Sequence, residues 1–347
     1  MTHTIVIEVY IKPSFLNDTP APLNILNSTM ADDNNMPDML SKCAACGKGG
    51  GELKTCTACK LVKYCNATCQ RAHRTMHKKE CKKRAAELHD ESLFKQPPPR
   101  CECPICLLVL PLDQDQRTYH SCCGKTLCKG CIYAFYTESG GEYERLNCPL
   151  CRTPAPLSES EAVERNKKRV DADDAAAMHE LGILYMDGEK GFPQDRSKAM
   201  ELWFRAGELG CAMAYNNIGT AYYSGEGVEK DVKKAKYYME LAAMGGDANA
   251  RLKVGYLEEI EGNIDRSAKH HMIAAATGYD DSLDKIRTFF MHGCATKEDF
   301  EKALRAHKES ADEMKSDQRE AAVAFLASGV SVRITAAAAG GQVVGMY

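Results

Sequence analysis

Sixteen of the eighteen cysteines fall between Cys43 and Cys151, and only Cys211 and Cys294 lie beyond. Crowding of this kind means disulfides or metal. The stretch Met1–Phe15 lacks a basic segment followed by an apolar one long enough for a secretory signal. No run reaches the roughly 18 apolar residues that a membrane helix needs. The expected setting is therefore cytoplasmic or nuclear, not secreted, with no membrane partner. Thiols stay reduced there, so zinc is the better explanation of the cysteines.

The first set is Cys43, Cys46, Cys56, Cys59, Cys65, Cys69, His77 and Cys81, spaced C-x2-C-x9-C-x2-C-x5-C-x3-C-x7-H-x3-C. Eight ligands complete two closed tetrahedral sites, and closed sites are structural rather than catalytic. Each Cys-x2-Cys pair suits a tight turn that aims both sulfurs at one ion. Cys65/Cys69 and His77/Cys81 suit helical turns, where residues four apart share a face. The pattern resembles a MYND finger at all eight positions. The resemblance implies interleaved ligation, with Cys43, Cys46, Cys65 and Cys69 on one zinc and Cys56, Cys59, His77 and Cys81 on the other. It also implies a surface for short, often proline-containing peptides. Residues 43–84 carry eleven Lys/Arg against two Glu. An acidic or nucleic-acid partner is one reading. A solvated helix face whose cations complement the helix dipole is the other, and it is adopted here because no aromatic residues interleave with the charge. The formal net charge of −3 also argues against nucleic acid as a partner of the whole chain.

The second set contains three zinc-type pairs: Cys103/Cys106, Cys128/Cys131 and Cys148/Cys151. A fourth pair must come from the neighbourhood of His120, Cys122, Cys123 and Lys125, and a lysine ammonium has no lone pair for zinc. The three pairs and their spacing resemble a RING finger. That resemblance implies cross-braced ligation, with Cys103, Cys106, Cys128 and Cys131 on one zinc and Cys148 and Cys151 on the second. Two registers are open. In one, Cys123 is the third ligand and Lys125 stands where the fourth should be. In the other, Cys123 is the fourth ligand, and Cys122 or His120 is the third. Adjacent strand residues point to opposite faces, so Cys122 needs a turn, which Gly124 permits. The reading adopted is Cys122 with Cys123, with His120 as the alternative. Lys125 is then a surface residue and Cys101 a bystander thiol. Four zinc ions are expected, two per finger.

The RING resemblance implies a docking groove for a ubiquitin-conjugating enzyme, built from Ile105 and Pro149 with Leu107 and Leu150 beside them. Arg152 matches the basic residue that braces the conjugate of carrier and ubiquitin. Such a module acts by proximity and orientation, and no covalent catalytic residue is proposed. One departure is that the tryptophan frequent between the sixth and seventh ligands is missing, the chain's single Trp being Trp203; Phe135 or Tyr136 would substitute. The first hypothesis is a RING-type ubiquitin ligase that recruits substrate proteins through its other modules. The rival is a zinc-dependent interaction scaffold without transfer activity.

Other parts of the chain must position these sites. Residues 1–42 show no strong helical period and are expected to be a mostly disordered tail with a short strand at Thr4–Ile11. The MYND-type module is expected over 43–84, and a linker over 85–100 whose prolines favour an extended spacer. The RING-type module is expected over 101–156 and a further linker over 157–174. From Ala175 the texture repeats: Leu181-Gly182, Ile218-Gly219 and Val254-Gly255 recur at intervals of 37 and 36 residues. A period of this length marks a helix-turn-helix solenoid, and the phrase resembles the Sel-like repeat, a relative of the tetratricopeptide repeat. Three clear repeats and a degenerate fourth are expected over 175–311, then a tail over 312–347. Tyr185, Trp203, Tyr222, Tyr223, Tyr237 and Tyr238 recur with the repeat and read as core. Cys211 and Cys294 read as small core residues, and His270 and His271 as packing or surface residues. The expected fold is thus two small zinc-stapled α+β modules followed by an all-α solenoid. The combination resembles multi-domain proteins of algae and other protists.

Overall fold

A computed structural model describes residues 42–50, 52–139, 147–188 and 193–327, with two short strands beyond. The expected disordered tail and the strand at Thr4–Ile11 lie outside the described residues. The chain divides into two compact units, 1–84 and 85–347.

The first unit holds a two-stranded antiparallel ribbon, β1 (Lys54–Thr55) and β2 (Lys63–Tyr64), and the start of helix α1 (Ala67–Leu93). Its core is small: Cys43, Cys56, Cys59 and Tyr64, with Leu53 and Val62 packed on them. So little apolar surface cannot stabilise a domain of this size alone, and metal or disulfides normally make up the difference.

The second unit opens with the last turns of α1. This stretch, expected as linker, is helical and docked. Leu93 is fully buried, Arg251 donates to its carbonyl, and the Phe94 ring lies 4.8 Å from that of His270. Arg266 also reaches Asp90 at 2.5 Å. A second ribbon follows, β3 (Arg117–His120) antiparallel to β4 (Lys125–Cys128), and then α2 (Lys129–Glu138). Next comes α3 (Glu159–Asp171), also inside an expected linker, with the Ser158 hydroxyl accepting from the Glu161 amide as its N-cap.

The solenoid consists of helix pairs: α4 (Ala175–Asp187) with α5 (Arg196–Glu208), α6 (Ala212–Ser224) with α7 (Val232–Met244), α8 (Ala248–Ile260) with α9 (Ile264–Ala275), and α10 (Asp280–Met291) with α11 (Lys297–Met314). Asp174, Asp195, Asp231 and Asp247 cap helix N-termini with their carboxylates. Gly188 and Gly225 close α4 and α6 in the left-handed conformation. The recurring helix glycines have a packing cause. A Cβ on Gly182 would stand 2.4 Å from the Trp203 indole nitrogen, one on Gly219 2.7 Å from Met239 Cγ, and one on Gly255 2.8 Å from His271 Nε2. The first helix of each of the first three pairs thus leaves a notch for one large side chain of the second.

The segment beyond 311, expected as tail, carries helix α12 (Asp317–Ala327). It packs back on α2, with the Phe325 ring 5.1 Å from that of Tyr133 and 6.3 Å from that of Tyr136. Among the expected core cysteines, Cys211 packs partly buried against the solenoid core, but Cys294 is exposed because it falls in the turn between α10 and α11. His270 and His271 are both fully buried. Among the described residues no helix is long and apolar enough to cross a membrane. Strands β5 (Arg333–Ile334) and β6 (Val344–Gly345) pair antiparallel near the end of the chain.

Candidate metal centres

Four Cys-x2-Cys segments share one backbone turn. In each, the residue after the second cysteine donates its amide to the carbonyl of the first: Gly47 to Cys43, Lys60 to Cys56, Leu107 to Cys103, and Arg152 to Cys148. All four of these residues have positive φ, at 69°, 57°, 59° and 62°. For the three non-glycines that conformation costs roughly 1–2 kcal/mol each. The turn aims both sulfurs of a segment to one side.

The side chains meet in four groups whose ligand atoms lie within 4.8 Å of one another. In the first unit these are Cys43, Cys46, Cys65 and Cys69, and Cys56, Cys59, His77 and Cys81. In the second unit they are Cys103, Cys106, Cys128 and Cys131, and Cys122, Cys123, Cys148 and Cys151. The edges of these tetrads can be tested against zinc. A tetrahedron with Zn–S of about 2.3 Å has S···S edges of roughly 3.8 Å. Observed edges are 3.4 Å for Cys46–Cys65, 3.8 Å for Cys56–Cys81, 3.8 Å for Cys103–Cys131, 3.8 Å for Cys106–Cys128, 4.0 Å for Cys123–Cys148 and 3.4 Å for Cys122–Cys151. These lengths fit a shared metal ion and are far from the roughly 2.05 Å of a disulfide. His77 offers Nε2 at 3.2 Å from the Cys59 sulfur. When bound, zinc would supply a structural cross-link rather than chemistry, since every group is filled by protein ligands.

Elements around the tetrads explain their geometry. In the first unit, Asn66 accepts from the Cys69 amide at 2.9 Å and opens α1 at the point where its first turn presents Cys69. One helical face then carries His73 and His77, whose rings stack at 5.7 Å. Tyr64 is hydrogen-bonded through its hydroxyl to His73 Nδ1 at 3.1 Å, and its ring packs edge-on to His77. His73 and Tyr64 thus orient the candidate ligand His77 without belonging to a tetrad themselves, a role that spacing alone does not reveal.

In the second unit the decisive element is the turn between β3 and β4. Cys123 and Gly124 both donate their amides to the His120 carbonyl, and Gly124 takes φ of 67°. This turn breaks the strand alternation, so adjacent Cys122 and Cys123 reach one group. His120 stays outside it, paired across the ribbon with exposed Lys125. Cys101 is exposed and belongs to no group. Two arginines from flanking helices reach these tetrads. Arg169 of α3 donates to the Ser121 and Cys122 carbonyls at 3.1 and 3.2 Å. Arg319 of α12 donates to Cys106 Sγ at 3.5 Å and to the Val109 carbonyl at 2.7 Å. Neither had a signal in the local sequence.

The thiol environments are uneven even before metal enters. Burial opposes ionisation of Cys43, Cys56 and Cys103, but amides of their own turns, together with hydrogen bonds from Cys65, His77 and Cys128 respectively, outweigh it and bring them down to about 6, 6 and 7. The Thr153 hydroxyl, and then its amide, bring Cys151 down to about 6. Hydrogen bonding to Cys43 and Cys46 pushes Cys65 up to about 12, and burial with the Cys56 and Cys59 thiols does the same for Cys81. Each tetrad thus contains one thiol that ionises more readily than a free one, and metal binding would release protons from the remainder.

Ile105 and Leu150 occupy equivalent positions inside two of the turns, and Leu107 and Arg152 the positions just after them. Ile105 is 40% exposed, Leu107 68% and Leu150 36%. Pro149 is half-buried and Arg152 exposed. Phe135 lies beneath Arg152, while Tyr136 is turned towards Phe325.

Residues 43–81 match the family model of the MYND finger, and residues 175–211 and 212–247 that of the Sel1 repeat. The chain contains a MYND finger and Sel1 repeats. Together with the thiol clusters, the MYND match supports zinc binding. Neither match includes residues 101–156. Similar curated proteins include the ERAD-associated E3 ubiquitin-protein ligase component HRD3B of Arabidopsis thaliana, 31% identical over 97 residues, 28% of this chain and 15% of that protein. Chitin synthase regulatory factor 4 of Schizosaccharomyces pombe is 25% identical over 132 residues, 38% of this chain and 21% of that protein. SET domain-containing protein 14 of Caenorhabditis elegans is 45% identical over 51 residues, 15% of this chain and 11% of that protein. The chain thus spans no more than 21% of the length of these relatives. A Sel1 repeat protein from Oxalobacter formigenes is 26% identical, with a TM-score of 0.39, over 44% of this chain and 64% of that one.

Proposed function

We propose that residues 101–156 are a RING-type finger carrying two zinc ions, and that the chain is a ubiquitin ligase whose MYND finger and Sel1 repeats recruit partner proteins. The observation that carries this reading is the alternation of the thiol groups along the chain. The first and third pairs share one tetrad and the second and fourth share the other. That cross-brace presents the tips of two Cys-x2-Cys turns, and the tips carry Ile105, Leu107 and Leu150 exposed with Arg152 beside them. Exposed apolar side chains on a metal-stapled scaffold suit a partner's apolar loops. Ile105, Leu107, Pro149 and Leu150 are the proposed contacts for a ubiquitin-conjugating enzyme, and Arg152 the brace for its bound ubiquitin. The ligase acts by holding the charged carrier in a reactive conformation. The likeness over 28% of the chain to a plant protein named as a ubiquitin-protein ligase component supports this reading.

A second reading is a zinc-dependent interaction scaffold, favoured by the two family matches, both to modules that engage other proteins. Autoubiquitination with a panel of conjugating enzymes separates the two. The ligase reading predicts chains with at least one carrier, and their loss or a reduction of about tenfold for Ile105→Ala with zinc retained. A zinc-loaded wild type that is inert with every carrier supports the scaffold.

A further inference from the structure

Two glycines of the second cysteine module are occupied from outside it. A Cβ on Gly130 would stand 2.8 Å from Arg319 Cγ and 2.9 Å from the Arg319 backbone nitrogen, and one on Gly124 would stand 2.9 Å from Arg169 Nη1. Each glycine lies beside one of the two thiol tetrads. Each arginine comes from a helix outside the ligand span, α3 in one case and α12 in the other.

We infer that the module's two metal sites are completed by these helices, so that the zinc-retaining unit runs from residue 101 to 327 rather than ending near 156. The inference rests on the proposal that these tetrads hold zinc.

Charge provides the first argument. A divalent cation with four thiolates leaves a net charge of −2, and Cys103, Cys128 and Cys131 are all buried. An uncompensated buried charge is costly. Arg319 is 5% exposed and sets Nη2 at 3.5 Å from Cys106 Sγ, placing a cation against the tetrad. The second argument is positional. The Arg319 guanidinium also donates to the carbonyls of Leu108 and Val109, at 3.4 and 2.7 Å. It thereby fixes the segment leaving the Cys103–Cys106 turn. A fourth donation, to the Met314 carbonyl at 2.7 Å, anchors the same guanidinium to the end of α11.

Arg169 performs the parallel task at the other tetrad, where it holds the Ser121 and Cys122 carbonyls of the turn that makes adjacent cysteines converge. It is held in turn by Asp174, 3.8 Å away, whose carboxylate also accepts from the Tyr119 hydroxyl at 2.8 Å and caps α4. Ribbon, turn and first solenoid helix therefore share one carboxylate. The module and the solenoid also fall in a single compact unit.

Groups that orient metal ligands from outside the coordination sphere typically change metal affinity 10–100-fold when removed. The test follows zinc release from the full-length protein to a chromophoric chelator, for wild type, Arg319→Met and Gly130→Ala. The two substitutions disturb the contact from opposite sides, so one remains informative if the other fails to fold. The two MYND zincs are the internal reference. Expected is one zinc per chain that leaves at least about tenfold faster in either variant, or is already missing on purification, with the MYND phases unchanged. Release curves that superimpose on wild type in a four-zinc protein overturn the inference alone. A wild type holding two zincs overturns the underlying metal assignment, and the inference with it.

Discussion

The guanidinium carbon of Arg152 lies 4.9 Å from the centre of the Phe135 ring. The pair joins the turn after the last cysteine to helix α2, and it gives an exposed arginine a preferred direction. A cation over an aromatic face at an exposed site contributes about 0.5–1 kcal/mol, enough to bias a side chain without burying it.

This geometry predicts a graded response in ubiquitin discharge from a charged carrier. Arg152→Ala should slow discharge about tenfold, the scale of one lost charge-assisted hydrogen bond. Phe135→Ala should slow it less, because the arginine remains but loses its guide. Carrier affinity should change little in either variant. Single-turnover discharge measured beside carrier binding checks this, and equal rates for all three proteins would remove Arg152 from the proposed mechanism.

A second prediction concerns the solenoid. Gly182→Ala places a methyl group 2.4 Å from the Trp203 indole nitrogen, which donates to the His179 carbonyl at 3.2 Å. Trp203 is 3% exposed and cannot swing into solvent without opening the α4–α5 pair. Overpacking of this kind costs about 1–3 kcal/mol. Trp203 is the chain's single tryptophan, so its fluorescence reports the site directly. Thermal unfolding followed at that signal should shift to lower temperature, while zinc content is retained. An unchanged midpoint would mean that the notch is looser than it looks.

Much of this was legible in the residues alone, for a physical reason. Cys-x2-Cys turns and Gly-bearing helix repeats are local devices, so their spacing carries their geometry. The repeat of Gly182 at Gly219 and Gly255 needed nothing beyond the pattern, whereas the grouping of Cys103 with Cys128 came from the resemblance to a RING finger. The choice between Cys122 and His120 depended on the Gly124 turn, which the sequence permits without requiring. The docking of α12 was illegible. Arg319 reaches Cys106 across 213 residues, and no periodicity in either segment announces the other. Leu93 and Phe94, beside a proline-rich stretch, likewise looked like linker until Arg251 and His270 supplied their partners.

A third prediction follows from His270 and His271. Neither ring nitrogen of His270 has a hydrogen-bond partner among the described residues. Burial, then the neighbouring cations Arg251, Arg266 and Lys236 together with His271, drives its pKa well below the ordinary 6.5. Burial and Lys285 bring His271 down to about 4. Both groups are neutral when folded and take up protons more readily when unfolded. Their contribution is therefore complete above pH 6.5 and is lost as pH falls from there towards 4. His270→Leu removes one of the two titrations and leaves no hydrogen bond broken. Its stability relative to wild type should rise steadily below pH 6.5, by up to a few kcal/mol. Zinc loss at acid pH affects both proteins alike and cancels in the comparison. Parallel stability curves from pH 7.5 to 5 would show that His270 does not titrate with unfolding.

The central claim is that two modules each hold two metal ions, and metal analysis of the full-length protein tests it most directly. Four zincs per chain are predicted for the wild type, three for Cys122→Ser, and four for His120→Ala, since His120 stands outside every tetrad. A wild type with two zincs would contradict the account, because the second cysteine module would then fold without the ions on which its proposed docking surface depends.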